Sequence, residues 1–547
     1  MKTLDNPLYY LDNFRHALDW IGERYADLLD AEETAFVAGF PALAQPAQAL
    51  LVRMVMRKGP LFLSAKLRYD EIGCPHAAAA PLAERGWVDP APLLTADDLF
   101  ALLGRPELER VFAGMPGARG MRKPEWRDAV RAAAPDARRF EEWHPQSPDR
   151  VYALTAGRLC DRLRLFYFGN LHQDWSEFVI SELGILRYET VPFPPESRGF
   201  QCRADIDDYL ALYRCRERFD AGEAVDDLVP EVLSVVPGND WIARRRGRLL
   251  ADLAYTLEQH EQYQDALALY RQAAAPGARL RSVRVLEKLG RHGEAHALAA
   301  AAAAAPEDEA ERQAVQRCLP RLARRLGLAP PALARTAPVE RIDLALPRPA
   351  DGTPVEFLVR DHLSAPATPV FYVENTLLNG LFGLLCWPAI FAAVPGAFFH
   401  PFQAAPADLH ATDFRARRSD LFDACLARLA DGSHADAIRA TWRDKHGLQS
   451  PFVAWDHLDE TLLDLALDCI PPAHLRATFE RLLADIKSNR SGFPDLVCFD
   501  PARRGYRMIE VKGPGDRLQD NQLRFIDHCA RHGMPVAVCH VAWAEDA

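Results

Sequence analysis

The sequence predicts a multi-domain, mostly α-helical chain that ends in an α/β domain. Its 547 residues are 49% hydrophobic and 26% charged, a composition typical of a globular protein, and that length suits about three or four domains. Helical spacing of apolar residues recurs through most of the chain, whereas residues 496–499 and 506–511 are short apolar runs separated by a turn. These two runs are typical of adjacent strands in a hairpin.

The first predicted domain, residues 1–75, is helical and locally basic. Tyr10, Phe14, Leu18 and Ile21 recur at helical spacing in it. Its candidate DNA contacts are three cations: Arg57, Lys58 and Lys66. Clustered cations attract phosphates, but the same residues also suit a solvated helix face.

The second predicted domain, residues 76–164, contains short helices around a basic turn. Thr95 is the predicted N-cap of one helix, with Asp97 and Asp98 in its first turn. A turn rich in Gly and Pro then presents further candidate DNA contacts: Arg119, Arg122 and Lys123. Short helices beside such a turn are used by SAP-like and helix-turn-helix modules to hold phosphates.

The third predicted domain, residues 165–345, is almost wholly helical and contains tetratricopeptide-like repeats. In the first repeat, Leu250, Ala254 and Tyr255 lie on one helix, and the next helix carries the other repeat positions: Tyr263, Ala266, Leu267 and Tyr270. A looser copy covers residues 284–306. Such repeats bind peptides or act as rigid spacers, so they do not by themselves indicate DNA binding.

A Pro-rich stretch, residues 344–357, is predicted to be the linker into the last domain, residues 365–547. The helix predicted after Pro369 has an apolar stripe that includes Leu377 and Leu381, and Glu374 is expected in its first turn. A Glu at that position is commonly a partner of the helix macrodipole.

The strongest chemical signal lies in the predicted hairpin. Glu510 and Lys512 are two residues apart on its second strand and therefore leave the same face, which Asp495 reaches if the strands pair. Two carboxylates and one ammonium suit a divalent cation and a phosphate, because Mg²⁺ prefers carboxylate oxygens and keeps sites open for substrate. The alternative without a catalytic role is a surface hairpin with an ordinary Glu–Lys pair.

The residues around this triad resemble a known nuclease family. PDLVCFD, IEVKGPGDRLQDNQLRFIDHC and VAVCHV, between residues 494 and 541, resemble the VRR-NUC domain of the PD-(D/E)xK superfamily. Residues 165–189 and 53–72 resemble further parts of the Fanconi-associated nuclease family, in the order expected of it. The chain is therefore identified as a bacterial member of that family.

The resemblance implies roles for several site residues. It implies a restriction-endonuclease-like C-terminal fold with Mg²⁺ or Mn²⁺ held by Asp495, Glu510, Glu374 and the Val511 carbonyl, and with Lys512 beside the attacking water. Gln522 matches a family Gln that faces the active site. Asn521 departs from the Lys of eukaryotic members, which puts a pocket for a 5′-phosphate in doubt.

The net charge of −11 excludes a uniform attraction for DNA, so binding must follow local basic clusters. Lys487 and Arg490, just before the hairpin, are further candidate DNA contacts, as are three arginines upstream: Arg415, Arg417 and Arg418. Another basic group before the first repeat suits either a duplex backbone or solvent: Arg244, Arg245, Arg246 and Arg248.

The function implied by the resemblance is metal-dependent cleavage of flapped or branched DNA, as in interstrand crosslink repair. Two alternatives stay open: a general or restriction-type nuclease on the same fold, and a tetratricopeptide adaptor with an inactive nuclease domain. The 11 cysteines have no zinc-binding spacing, and the N-terminus has no apolar signal segment. These features predict a cytoplasmic protein, nucleoid-associated in a bacterium or nuclear in a eukaryote.

Overall fold

A computed structural model describes residues 6–57, 59–113, 121–175, 186–330 and 338–544. The chain divides into two compact units, residues 1–187 and 188–547. Among the described helices, none combines the length and the apolar character needed to span a membrane. The boundaries of the four predicted domains remain predictions.

Where the structure describes it, the first unit is mostly helical, with two small sheets. Its described α-helices are Tyr9–Tyr25, Ala31–Gly39, Gln45–Val55, Pro75–Glu84, Ala96–Leu102, Arg105–Val111, Lys123–Ala133, Phe140–Trp143 and Gly157–Phe168. An antiparallel sheet pairs Val151–Leu154 with Leu61–Leu63 and with Val88–Asp89, and Leu93–Leu94 pairs with Arg138–Arg139. Thr95 is the N-cap predicted from the sequence, because its side chain accepts from the Asp98 N–H.

The second unit begins with helices that pack in sequence order. They are Arg203–Asp220, Val225–Ser234, Asp240–Gln259, Tyr263–Gln272, Ala278–Lys288, His292–Ala304 and α1, Glu309–Arg325. The tetratricopeptide assignment is not confirmed. Tyr255, one of the predicted repeat positions, is 47% exposed and lies beneath the guanidinium of Arg281, whose Cζ is 4.7 Å from the ring centroid.

A five-stranded mixed sheet forms the centre of the C-terminal region. Its strands are β1 (Glu340–Leu346), β2 (Val370–Tyr372), β3 (Leu496–Asp500), β4 (Gly505–Lys512) and β5 (Val536–Trp543), in the spatial order β1-β5-β4-β3-β2. β5 runs parallel to β1 and β4, whereas β3 runs antiparallel to β2 and β4. The hairpin predicted from the two apolar runs is therefore confirmed as β3–β4.

The sheet corrects one expectation. Residues 344–357 are not simply a linker, because Leu344 lies within β1 and Val355 begins helix α2 (Val355–Leu363). The edge strand β1 pairs with β5, nearly two hundred residues later in the chain. Ile342, Leu344 and Leu346 face the core while Asp343 and Ala345 are exposed, so the strand carries an alternating pattern that the prolines after it obscured.

Helices cover the sheet and fix its core. Helix α3 (Leu377–Leu385) is buried along its whole length, including the predicted stripe. The other helices are Trp387–Ile390, Ser419–Asp431, His434–Lys445, Glu460–Cys469, Pro472–Ala484, Ile486–Asn489 and α4, Asp520–His532. One apolar core joins α3 to the buried face of the β3–β4 hairpin.

Candidate active site

The β3–β4 hairpin brings the two predicted carboxylates together. Asp495 lies just before Leu496, which pairs with Ile509, so Asp495 is next to the strand that carries Glu510. Oδ2 of Asp495 accepts a hydrogen bond from the backbone N–H of Val511 at 2.7 Å. Strand pairing thus holds Asp495 beside Glu510.

Glu510 and Lys512 lie on the same face of β4, because alternate residues of a strand point the same way. Nζ of Lys512 is 2.8 Å from Oε1 of Glu510. Glu510 is 1% exposed, and Asp495 and Lys512 are each 7% exposed. Three ionisable groups are therefore largely removed from water in one small space, an arrangement that is costly in free energy and common at catalytic sites.

Gln522, in the first turn of α4, joins this group. Its Nε2 donates to Oε1 of Glu510 at 2.6 Å, and its Oε1 accepts from the backbone N–H of Gln519 at 2.8 Å. The side-chain amide therefore links the N-terminus of α4 to Glu510. Both side-chain donors of Glu510, from Gln522 and Lys512, contact the same oxygen, Oε1.

Burial raises the pKa of both carboxyl groups above the usual range. The pKa of Asp495 rises to about 6, chiefly through burial, and the charges of Glu374 and Glu356 raise it further. The pKa of Glu510 rises to about 7, again chiefly through burial and next through the charge of Asp495. Neighbouring hydrogen-bond donors oppose these shifts without cancelling them.

Glu374 lies beside the acidic pair but not in a helix. It occupies the turn between β2 and α3, and α3 begins only at Leu377, so the expected placement in the first helical turn is wrong. The exposed Glu374 side chain accepts from the Tyr372 hydroxyl at 2.5 Å. Its charge raises the pKa of both Asp495 and Glu510, so it acts on the same space.

Sequence reasoning missed three polar residues around this turn. Asn375, at φ 52°, adopts the left-handed conformation that Asn tolerates, and its Oδ1 accepts from the Phe493 N–H at 3.2 Å. Tyr372 holds Glu374, and the charge of Glu356, on α2, raises the pKa of Asp495. The sequence signal for Asn375 was its position next to Glu374, the expected metal ligand. Glu356 lies within the stretch predicted to be a linker, so no role was predicted for it.

The residues present fit a hard divalent cation. Three carboxylates and one ammonium leave an excess of negative charge, and all the candidate side-chain donors are oxygens, as Mg²⁺ prefers. Across the described ranges, no three His, Cys, Asp or Glu side chains are grouped closely enough to share an ion. Each of the three predicted carboxylate ligands contacts a protein group. Glu374 accepts from the Tyr372 hydroxyl, Asp495 accepts from the Val511 N–H, and Glu510 pairs with Lys512.

The predicted DNA contacts in the first unit differ in whether their side chains already donate hydrogen bonds within the protein. Arg57 is exposed and donates to the Lys66 carbonyl at 2.8 Å. Nζ of Lys66 donates to the Leu102 carbonyl at 3.0 Å, and that of Lys123 to the Leu103 carbonyl at 3.2 Å. Arg122 is exposed at the N-cap of the helix Lys123–Ala133. Two candidates lie outside the described residues: Lys58 and Arg119.

The two candidates ahead of the hairpin also differ. Lys487 is exposed in the short helix Ile486–Asn489. Arg490 is half-buried, donates to the Pro451 carbonyl at 2.8 Å, and has its Cζ 5.7 Å from the Phe452 ring centroid. Burial lowers its pKa. Arg490 therefore helps to hold the loop that leads to Asp495.

The arginines upstream are structural to different degrees. Arg418 is buried and donates to both oxygens of Asp408, at 2.8 and 2.9 Å. Arg417 donates to the same carboxylate at 2.6 Å. The expectation that Arg417 and Arg418 hold DNA is therefore wrong, because their guanidinium groups are used inside the fold. Arg415 is partly exposed, 3.7 Å from Asp423.

The basic group before the first repeat is also largely used within the second unit. Arg245 lies over the Tyr209 ring, with Cζ 3.9 Å from the ring centroid, and burial lowers its pKa. Arg246 donates to the Val232 carbonyl at 3.1 Å, and Arg244 lies 3.6 Å from Asp413. Arg248 is exposed. Most of this group therefore stabilises helix packing.

Comparison with known proteins places the whole chain in one family. Sequence profiles match for the FAN1 HTH domain at residues 8–89, the Fanconi anemia-associated nuclease SAP domain at 93–143 and the VRR-NUC domain at 429–543. A Fanconi-associated nuclease 1 homolog of Pseudomonas aeruginosa is 56% identical over 544 residues, covering 100% of this chain and 97% of that protein. The chain belongs to the Fanconi-associated nuclease family.

Other relatives agree with this placement. A Fanconi-associated nuclease 1 homolog of Oryza sativa is 25% identical and aligns with 97% of this chain, but with 62% of its own length. The crystal structure of paFAN1 bound to 2nt 5′-flap DNA with a gap has a TM-score of 0.93, with 55% identity and full coverage of both chains. As a Fanconi-associated nuclease with a VRR-NUC domain, this chain is a DNA-cleaving phosphodiesterase whose family depends on a divalent metal.

Metal binding by this nuclease should strengthen as pH rises. Asp495 and Glu510 have pKa values raised to about 6 and about 7, so both are largely protonated near pH 5, and a cation bound by them would have to displace those protons. We expect the affinity for Mn²⁺ to increase through pH 6–7 and to level off above about pH 8. Calorimetry at pH 6.5 in buffers of different ionisation enthalpy should show proton release. Identical heats in all buffers would contradict the raised pKa values.

Proposed function

We propose that this chain cleaves 5′-flap and related branched DNA in the repair of lesions such as interstrand crosslinks. The observation that carries the proposal is the buried group of Asp495, Glu510 and Lys512, in a fold that matches a nuclease crystallised on 5′-flap DNA. We propose a cytoplasmic, nucleoid-associated location for it.

We propose Mg²⁺ or Mn²⁺ as the metal, held by Asp495, Glu510, Glu374 and the Val511 carbonyl. A bound metal would lower the pKa of a water and stabilise charge on the phosphate oxygens. The protein's own residues prepare the site: the Val511 N–H orients Asp495, while Lys512 and Gln522 orient Glu510 through Oε1.

Lys512 is assigned to the attacking water. Lys512 is 7% exposed and its ammonium lies 2.8 Å from Glu510, so moving it into bulk solvent would leave the buried carboxylate without its positively charged partner. A fixed positive charge at this position can orient a water and stabilise negative charge that develops on the phosphate. Gln522 and Tyr372 orient the acidic groups, because Gln522 donates to Glu510 and Tyr372 donates to Glu374.

DNA binding is assigned to cations away from the metal site. The set is Arg57, Lys58, Lys66, Arg119, Arg122, Lys123, Lys487 and Arg490. Arg57, Lys66, Lys123 and Arg490 also donate to backbone carbonyls, so the exposed Arg122 and Lys487 have the most freedom to reach a phosphate. A less steep dependence of duplex affinity on salt, after charge removal, would identify the true contacts.

Cleavage mapping tests this function. We expect Mn²⁺- or Mg²⁺-dependent incision of a 5′-flap substrate, faster than that of 3′-flap, nicked or linear duplex of the same sequence, with each strand labelled at either end. The matched control is Glu510→Gln, which keeps the shape of the site. Cleavage of linear duplex at the same rate as the 5′-flap substrate would favour a general nuclease. If no substrate is cleaved, with or without added metal, the result would favour an adaptor with an inactive nuclease domain.

A further inference from the structure

The first turn of α4, which carries Gln522, is held by helix α1 of the helical region. Arg317 on α1 donates from Nη1 and Nη2 to the two oxygens of Asp520, at 2.7 and 2.6 Å. Asp520 is the first residue of α4. A bidentate guanidinium–carboxylate pair fixes orientation as well as distance.

A second pair of side chains strengthens the same contact. Arg524 on α4 donates to Oε1 of Gln313 at 2.8 Å, and Nε2 of Gln313 donates to the Asp520 carbonyl at 3.4 Å. We call these four residues the α1–α4 brace: Gln313, Arg317, Asp520 and Arg524. The brace fixes both the position and the rotation of the first turn of α4 relative to α1.

The same turn is confined on another side by the loop before Asp495. Gly492 has φ 86°, and a Cβ there would lie 2.7 Å from the Asn521 carbonyl carbon. Asn521 Nδ2 also donates to the Ser491 hydroxyl oxygen at 3.3 Å. Only glycine allows this approach, so the loop and α4 are packed with no spare room.

We propose that Arg317 and Asp520 are positioning residues for DNA cleavage, acting through Gln522 on Glu510. The chain of contacts is continuous: Arg317 holds Asp520, the first turn of α4 holds the Gln522 amide through the Gln519 N–H, and Gln522 donates to Glu510. The helical region then acts on the catalytic carboxylate and is not merely a spacer. This inference rests on the proposed function.

Opposite charges on the brace separate this role from DNA binding. Arg317 and Asp520 are 55% and 56% exposed, so either could meet a polyanion directly. In that case loss of the cation would weaken DNA binding, whereas loss of the anion would strengthen it. A brace behaves differently, because removing either partner loosens the same turn and lowers the rate in the same direction.

The test compares Arg317→Ala, Asp520→Asn and the double variant on the 5′-flap substrate. We expect each single variant to lower kcat about fivefold with KM unchanged, and the double variant to lose no more than either single one. The matched control is Arg321→Ala, one turn further along α1, where an equally exposed Arg pairs with Glu287 at 2.8 Å. It should retain wild-type kcat.

A second double-mutant cycle tests whether the loss of kcat in the Arg317 variant depends on Gln522. We expect Gln522→Ala to lower kcat, and Arg317→Ala to add nothing in that background. Additive losses, a rise in KM, or opposite effects of the two brace variants would overturn the inference. If Arg317→Ala does not fold, the isosteric Asp520→Asn carries the same test. An inactive wild-type protein would instead refute the proposed function, and active wild-type protein with unchanged brace variants would refute the inference alone.

Discussion

Glu510→Gln and Asp495→Asn are each expected to reduce cleavage of flap DNA by about a thousandfold while leaving DNA affinity nearly unchanged. Each change removes a negative charge from a buried site whose carboxylates repel one another, so a divalent cation loses its main attraction. Lys512→Ala should have a similar effect, since it removes the only charge of opposite sign in the described triad. Single-turnover cleavage at saturating Mn²⁺ measures the loss.

The control for this series lies on the same hairpin. Asp500 ends β3, where it pairs with Gly505 at the end of the strand away from Asp495, and its side chain accepts from the Arg503 N–H. Asp500→Asn should therefore cleave at the wild-type rate. Glu374→Gln should have a smaller effect than Glu510→Gln, because Glu374 is exposed. Near wild-type cleavage by any triad variant would remove that residue from the mechanism.

Arg418→Ala is expected to destabilise the C-terminal region by about 3 kcal/mol, because it removes two of the three arginine hydrogen bonds to the buried Asp408 carboxylate and leaves only that from Arg417. The expected result is a much lower thermal unfolding temperature with no selective change in the salt dependence of DNA binding. Circular dichroism during heating measures the first, and duplex titration of the folded protein measures the second.

Arg415→Ala provides the comparison. Arg415 is 43% exposed and lies 3.7 Å from an exposed Asp423, so its loss should change stability by less than about 0.5 kcal/mol. A stable Arg418→Ala protein with weakened DNA binding would contradict the structural role assigned here. It would restore the interpretation based on the local basic sequence.

Sequence reasoning worked best where a pattern is local. The short apolar runs on either side of a turn predicted β3 and β4, and the i, i+2 spacing predicted that Glu510 and Lys512 share a face. Thr95 was predicted as a helix cap, because capping depends only on neighbouring residues. The helical spacing around Leu377 likewise predicted a core-facing helix, although its start was misplaced.

Sequence reasoning failed where the deciding partner is distant in the chain. Residues 344–346, the end of strand β1, were assigned to the linker with the prolines that follow them, because their pairing partner β5 lies nearly two hundred residues later. From its basic sequence context Arg418 was predicted to contact DNA, but in the structure both of its Nη atoms donate to the Asp408 carboxylate. Tyr255 occupies a predicted repeat position but is 47% exposed with Arg281 over its ring, so the repeat assignment stays a prediction.

By itself the sequence determined the nuclease family, the hairpin and the chemical types at the site, because these depend on residue identity and on spacing within a single strand or turn. The tertiary structure alone decided how buried the carboxylates are, and therefore why their pKa values rise. It also decided that α1 holds the turn bearing Gln522, about two hundred residues away. Burial and long-range contacts arise only when distant segments pack together, and no local pattern encodes which segments those are.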